Sequence, residues 1–156
     1  MSVLKGGEFL IKESNYKDIF IPEEFNEEQK MIAQMCQDFI EQDVNPNLDK
    51  IDSMEDGLME SILDKAGELG LLSVSIPEDL GGLGSDFVTS MISTEYTGSG
   101  HSAAVALSAH TGIGTLPILY FGNDSQKQKY IPKLATGELK ACYCLTEPGS
   151  GSDANS

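Results

Sequence analysis

The chain has 156 residues, 40% of them hydrophobic, and a formal charge of -15. That length and apolar content support one substantial folded core rather than a disordered chain. So acidic a surface repels nucleic acid phosphates and anionic membranes, and both are excluded as partners.

Residues 1–25 have weak periodicity and mixed charge, with scattered apolar positions at Phe9, Leu10, Ile11, Ile19 and Phe20. They read as an extended arm with one short turn. Fifteen acids and five lysines lie in residues 1–60, against ten acids and five lysines in the remainder, so the acidity is concentrated at the front. Met1 to Leu10 lacks a basic region followed by a long apolar run, and no stretch reads as long and apolar enough to span a bilayer; a cytoplasmic location is expected. The first strong helix begins after Asn26. Its side chain can cap, Gln29 stands three residues on as in a capping box, and Phe25 is placed as a hydrophobic staple. Met31, Ile32, Met35, Cys36, Phe39 and Ile40 form its apolar stripe, and Pro46 is expected to close it.

A second helix is expected at about 57–69, ended by Gly70. An extended piece, Leu71 to Ile76, precedes Pro77 and a flexible turn at Gly81-Gly82-Leu83-Gly84. A third helix runs from about Ser85 to Tyr96. From Ser102 to Phe121 almost no polar face remains, which predicts a helix central in a bundle, kinked or restarted at Pro117. Asn123 and Gln126 fit a second capping box, opening a short helix to about Ala135. Lys140 to Thr146 alternates as a strand, with Tyr143 and Leu145 on one face and Cys142, Cys144 and Thr146 on the other. A lone strand has no sheet partner in the preceding helices, so it reads as the entrance to a β-domain. The expected fold is all-α, an orthogonal or up-and-down helical bundle followed by the start of a β-domain. Residues 1–25 are the arm, 26–138 the helical domain and 139–156 the first part of the next.

Few residues suggest chemistry. All ten basic residues are lysine, so a bidentate guanidinium clamp must come from elsewhere. Cys36, Cys142 and Cys144 show no metal-ligand spacing and read as buried reduced thiols. His110 in the apolar helix reads as a packed or hydrogen-bonded core residue, and His101 as a loop or helix-start residue. The run Glu147-Pro148-Gly149-Ser150-Gly151-Ser152-Asp153 could aim backbone N–H groups at an anion or a ring edge, with hydroxyls at Thr146 and Ser152. A plain polar turn would look the same. It is neither a dinucleotide fingerprint nor a phosphate-cradling lysine loop, and Glu147 suits a turn as well as a base.

Four segments in order resemble the acyl-CoA dehydrogenase family. They are Asn26-Glu27-Glu28-Gln29; Leu69-Gly70-Leu71-Leu72 through Ile76-Pro77-Glu78-Asp79-Leu80-Gly81-Gly82-Leu83-Gly84; Tyr120-Phe121-Gly122 with Gln126-Lys127 and Tyr130 to Glu138; and Cys144-Leu145-Thr146-Glu147-Pro148 with Gly151-Ser152-Asp153. The resemblance implies FAD as cofactor, bound by Tyr143, Cys144, Leu145, Thr146, Gly151 and Ser152. Ser152 would also approach the CoA-bearing substrate. It implies α,β-dehydrogenation of an acyl-CoA to a trans-2-enoyl-CoA, with electrons passing to an electron-transfer flavoprotein, in a homodimer or homotetramer. The catalytic base and the arginine contacts to the FAD phosphates would lie downstream, so no catalytic residue is assigned and these residues alone are expected to be inactive. Ala109-His110, Ile113-Gly114 and Ile118 to Gly122 resemble the long-chain and very-long-chain type. An acyl-CoA oxidase relative and a non-catalytic helical binding scaffold remain alternatives.

Overall fold

In a computed structural model the described residues are Leu4 and 6–155. Met1, Ser2, Val3 and Lys5 of the expected arm, and Ser156 of the last segment, lie outside them. The architecture is a bundle of α-helices: α1 (Glu27–Phe39), α2 (Leu48–Asp52), α3 (Leu58–Glu68), α4 (Phe87–Thr97), α5 (Ser102–Ser108), α6 (Leu116–Phe121) and α7 (Asp124–Thr136). Before α1 the chain makes three tight helical turns, at Gly6–Leu10, Tyr16–Asp18 and Pro22–Glu24, rather than one.

Both expected capping boxes form. At α1 the Gln29 N–H donates to Asn26 Oδ1 at 2.8 Å and the Asn26 N–H to Gln29 Oε1 at 3.0 Å; at α7 Asn123 and Gln126 repeat the exchange at 2.9 Å each way. Two otherwise orphaned backbone donors are thereby satisfied at each helix start. Phe25 does not staple forward, because the matching position in α1 is Lys30; its ring meets Phe20, with centroids 5.8 Å apart. The third helix starts one cap later than expected, at Asp86, whose carboxylate accepts from the Thr89 N–H and hydroxyl at 2.7 Å each. Gly70, at φ 77°, ends α3 in a paired motif: its N–H donates to Gly67 O and that of Leu71 to Ala66 O.

Pro46 does not close the first helix as expected, whereas Pro117 stands in the first turn of a restarted helix, α6, as the sequence predicts. Past Pro46 the chain stays helical through a tight turn, Asn45–Asn47, into α2. A wider helical turn, Ile40–Val44, comes just before it, and a second one, Ala109–Gly114, comes just before Pro117. A proline has no N–H and its ring clashes with the carbonyl four residues back. Those positions, Gln42 and Ile113, both fall in the widened turns, where the hydrogen-bond register shifts, so helical structure resumes past each proline. Ser102 to Phe121 therefore forms one helical stretch of 20 residues, long and apolar enough by length and composition to cross a bilayer, contrary to expectation. Its place among the core clusters makes it a bundle helix.

Two clusters make the core. One joins α1, α3 and α5 through Cys36, Phe39, Ile62, Ala66, Leu72 and Leu107. The other joins α6 and α7 to the loop before α4 through Ile76, Leu80, Leu119, Ile131 and Leu134. Leu71 to Ile76 is not extended but folds in successive turns, with the Ser73 N–H on Gly70 O and the Ile76 N–H on Ser73 O. The expected glycine turn follows, and the N–H groups of Leu83, Gly84 and Ser85 donate back to Ser73, Ile76 and Val74. The long helical stretch is also less central than its composition predicts. Val105 is 67% exposed and Phe121 86%.

Candidate functional site

The site expected from sequence is the segment leaving the bundle. Gly137, left-handed at φ 80°, ends α7. The Leu139 N–H then donates to Lys133 O at 3.1 Å, and Lys140 pairs with Asp64 of α3. Ala141 is half-buried against the second core cluster, and its N–H donates to Nδ1 of His110 at 3.1 Å. His110 is 1% exposed and is hydrogen-bonded, as its core reading required. Nε2–H donates to the Leu134 carbonyl at 2.9 Å, and the Thr115 hydroxyl donates to the His110 carbonyl at 2.6 Å. Burial holds the imidazole below its ordinary pKa of 6.5, the nearby Lys140 charge acting the same way and the Leu134 bond opposing.

Beyond Ala141 the chain carries no regular secondary structure, and residues 140–146 do not form the expected strand. A ladder needs a second strand, and among the described residues the sole bridge is a local antiparallel one between Glu147 and Ser150. There the Glu147 N–H donates to Ser150 O at 2.9 Å and the Ser150 N–H to Glu147 O at 3.1 Å, closing a tight turn around Pro148 and Gly149. Those two N–H groups are thus spent on the turn rather than aimed at an anion. The Ser150 hydroxyl donates to Asp153 O.

Tyr143, Cys144, Leu145, Thr146, Gly151 and Ser152 are all exposed along this one segment. Tyr143 is 52% and Leu145 50% exposed, apolar surface that the bundle does not cover. A Cβ added at Gly149 or Gly151 would meet nothing within 4 Å, so both flanks of the turn are open to close approach by a ligand. Glu147 is an exposed turn residue. The cysteine expectation holds for Cys36, whose thiol is pushed up by burial, with the Ser93 hydrogen bond opposing. It fails for Cys142 and Cys144, which are exposed on the segment leaving the bundle. His101 does stand at a helix start, but in the left-handed region at φ 51°, which its sequence position did not signal.

This geometry, a capped helical bundle releasing an irregular segment and a glycine turn, coincides with a known family. The family model of the acyl-CoA dehydrogenase N-terminal domain matches residues 26–138. The chain belongs to the acyl-CoA dehydrogenase family. It is 50% identical over 152 residues to a probable acyl-CoA dehydrogenase of Bacillus subtilis, covering 97% of this chain and 26% of that protein. The crystal structure of an acyl-CoA dehydrogenase complexed with FAD from Bacillus anthracis superposes with a TM-score of 0.87 at 48% identity, over 97% of this chain and 26% of that one. A chain in the structure of the electron transferring flavoprotein of Acidaminococcus fermentans aligns with a TM-score of 0.74 at 30% identity, over 86% of this chain and 35% of its own length. The chain thus spans about a quarter of the Bacillus subtilis relative.

Proposed function

We propose that these residues are the N-terminal helical part of an FAD-dependent acyl-CoA dehydrogenase, which converts acyl-CoA thioesters to trans-2-enoyl-CoA and passes electrons to an electron-transfer flavoprotein. The family match over residues 26–138, together with 50% identity over 152 residues to the Bacillus subtilis relative, carries the reading. FAD, as named for the Bacillus anthracis structure, supplies the hydride acceptor when bound. The residues present fit one edge of such a group: an exposed backbone at Leu145 and Thr146 outside any helix or ladder, an exposed Thr146 hydroxyl, and a turn whose glycines Gly149 and Gly151 are open to close approach. N–H and O–H donors there would hold the ring and favour negative charge on it, and Ser152 would reach toward the CoA-bearing substrate.

Proton abstraction is not assigned to any residue of this chain, so residues 1–156 alone would not turn over, and a homodimer or homotetramer would complete the enzyme. The reading extends to long-chain substrates, supported by the resemblance of the Ile113-Gly114 and Ile118 to Gly122 segments. His110 adds nothing to that preference, because its ring is committed inside the bundle.

The full-length protein, purified yellow and titrated anaerobically with butyryl-, octanoyl- and palmitoyl-CoA, tests this. Bleaching by the longer thioesters supports it in full. Bleaching by butyryl-CoA alone removes the long-chain element, fast reoxidation by oxygen with peroxide release moves the enzyme to the oxidase class, and no bleaching by any thioester overturns the proposal.

A further inference from the structure

Ala141 is the point at which the chain leaves the bundle, and two residues of one wide helical turn meet it there. Its N–H lies 3.1 Å from His110 Nδ1. Gly114, the last residue of the same turn, approaches so closely that a Cβ added to it would lie 2.5 Å from the Ala141 Cβ and 2.9 Å from its carbonyl carbon. The partners of the imidazole dictate where its proton sits. The Leu134 carbonyl can only accept, so Nε2 carries the hydrogen; the Ala141 amide can only donate, so Nδ1 presents a lone pair. A doubly protonated ring would oppose two donors at Ala141. The ring therefore connects the end of α7 to the exit segment, and residues 142–149, just beyond, are exposed. The neighbouring Lys140–Asp64 pair is too exposed to do the same work. Widened helical turns are often retained where a function needs a side chain re-aimed.

We propose that His110, as the neutral Nε2–H tautomer, is a positioning residue that sets the register of residues 142–152 for the flavin, with Gly114 as the steric stop on Ala141. This rests on the flavin reading given above. It assigns His110 no contact with flavin or substrate; the residue acts through the Ala141 amide.

Two substitutions in the full-length protein separate the ring nitrogens. His110→Asn can keep an acceptor near the Nδ1 position and loses the Nε2 donor, whereas His110→Gln keeps a donor near Nε2 and loses the acceptor. Amide hydrogen exchange of the peptide spanning 139–146, flavin content and thermal unfolding are measured together. H110N is expected to keep slow exchange and flavin. H110Q is expected to speed exchange about tenfold, the ratio set by the loss of one ordinary hydrogen bond, and to release flavin more readily. Equal losses in the two variants, following their melting temperatures, would reduce His110 to a packing residue and overturn the proposal. Should neither variant accumulate, Gly114→Ala decides: faster exchange at 139–146 supports the register, and unchanged exchange overturns it. A wild-type protein that binds no flavin sinks the flavin reading alone, while the exchange arm still judges the His110 connection.

Discussion

His101 is held at φ 51° and ψ -122°, a region that suits glycine and strains any side chain. Such strain costs roughly 1–3 kcal/mol, against about 0.5–1 kcal/mol of extra chain entropy for glycine. His101→Gly is therefore expected to stabilise the fold by about 1 kcal/mol, raising the melting temperature by roughly 2–4 °C for a domain of this size. Asp86 works in the opposite sense. The Thr89 hydroxyl and N–H bonds hold its carboxylate below the ordinary value, so its capping contribution is full above the unfolded pKa and is lost as pH falls through the folded one. Asp86→Ala should cost about 1 kcal/mol, seen as a lower urea midpoint at neutral pH and a smaller deficit in acid. His110 has its own window. Its folded pKa is depressed, so the unfolded chain binds the extra proton first. Stability is fully present above about pH 6.5 and declines as pH drops from there through the folded value. The slope measured by denaturant titration should shrink in H110N.

At the scale of elements, α3 and α7 touch backbone to backbone. A Cβ added at Gly67 would lie 2.2 Å from Thr136 O, with Gly137 beside it. The overlap should cost roughly 1–3 kcal/mol or more, outweighing the gain of about 1 kcal/mol in helix propensity. Gly67→Ala is thus expected to lower the melting temperature, although alanine favours helices. The sequence shows Gly67 only as a glycine inside a helix, because its reason lies in another helix. The same division runs through the fold. Capping pairs such as Asn26 with Gln29 and Asn123 with Gln126 were legible, since both partners sit within one turn. The end of α3 at Gly70 was legible for the same reason. The restart at Pro117 was legible too, but the widened turns before Pro46 and Pro117 were not, because nothing local to a proline shows how the turn before it yields. Nor was the exposure of Cys142 and Cys144: alternation marks an extended segment and says nothing of whether a second layer covers it. At the exit from the bundle the end of α7 was legible and the anchorage of the segment that follows was not. His110 and Ala141 are 31 residues apart, and no local pattern couples them.

For the molecule as a whole, the acidic front and the apolar back have different consequences. Val105, Ile113, Tyr120 and Phe121 stand exposed along the α5–α6 stretch, joined by Tyr143 and Leu145 on the exit segment. Where exposed apolar groups lie side by side they offer surface for another element or partner to cover. A preparation restricted to these 156 residues is expected to bind a hydrophobic dye and to self-associate with rising concentration, as read by sedimentation velocity. Phe121→Glu should lessen both, and it leaves the core clusters untouched because that side chain is not part of them.

The meeting of His110, Gly114 and Ala141 also bears on how such proteins can be recombined. A hybrid joined where the family match ends, at residue 138, would take the first two from one parent and the third from the other. An asparagine or alanine on one side and a bulkier residue in place of Ala141 on the other would each be harmless at home and incompatible together. The contact predicts that the three positions must travel together, so that a crossover before Ala109 or after Ala141 should work better than one at residue 138.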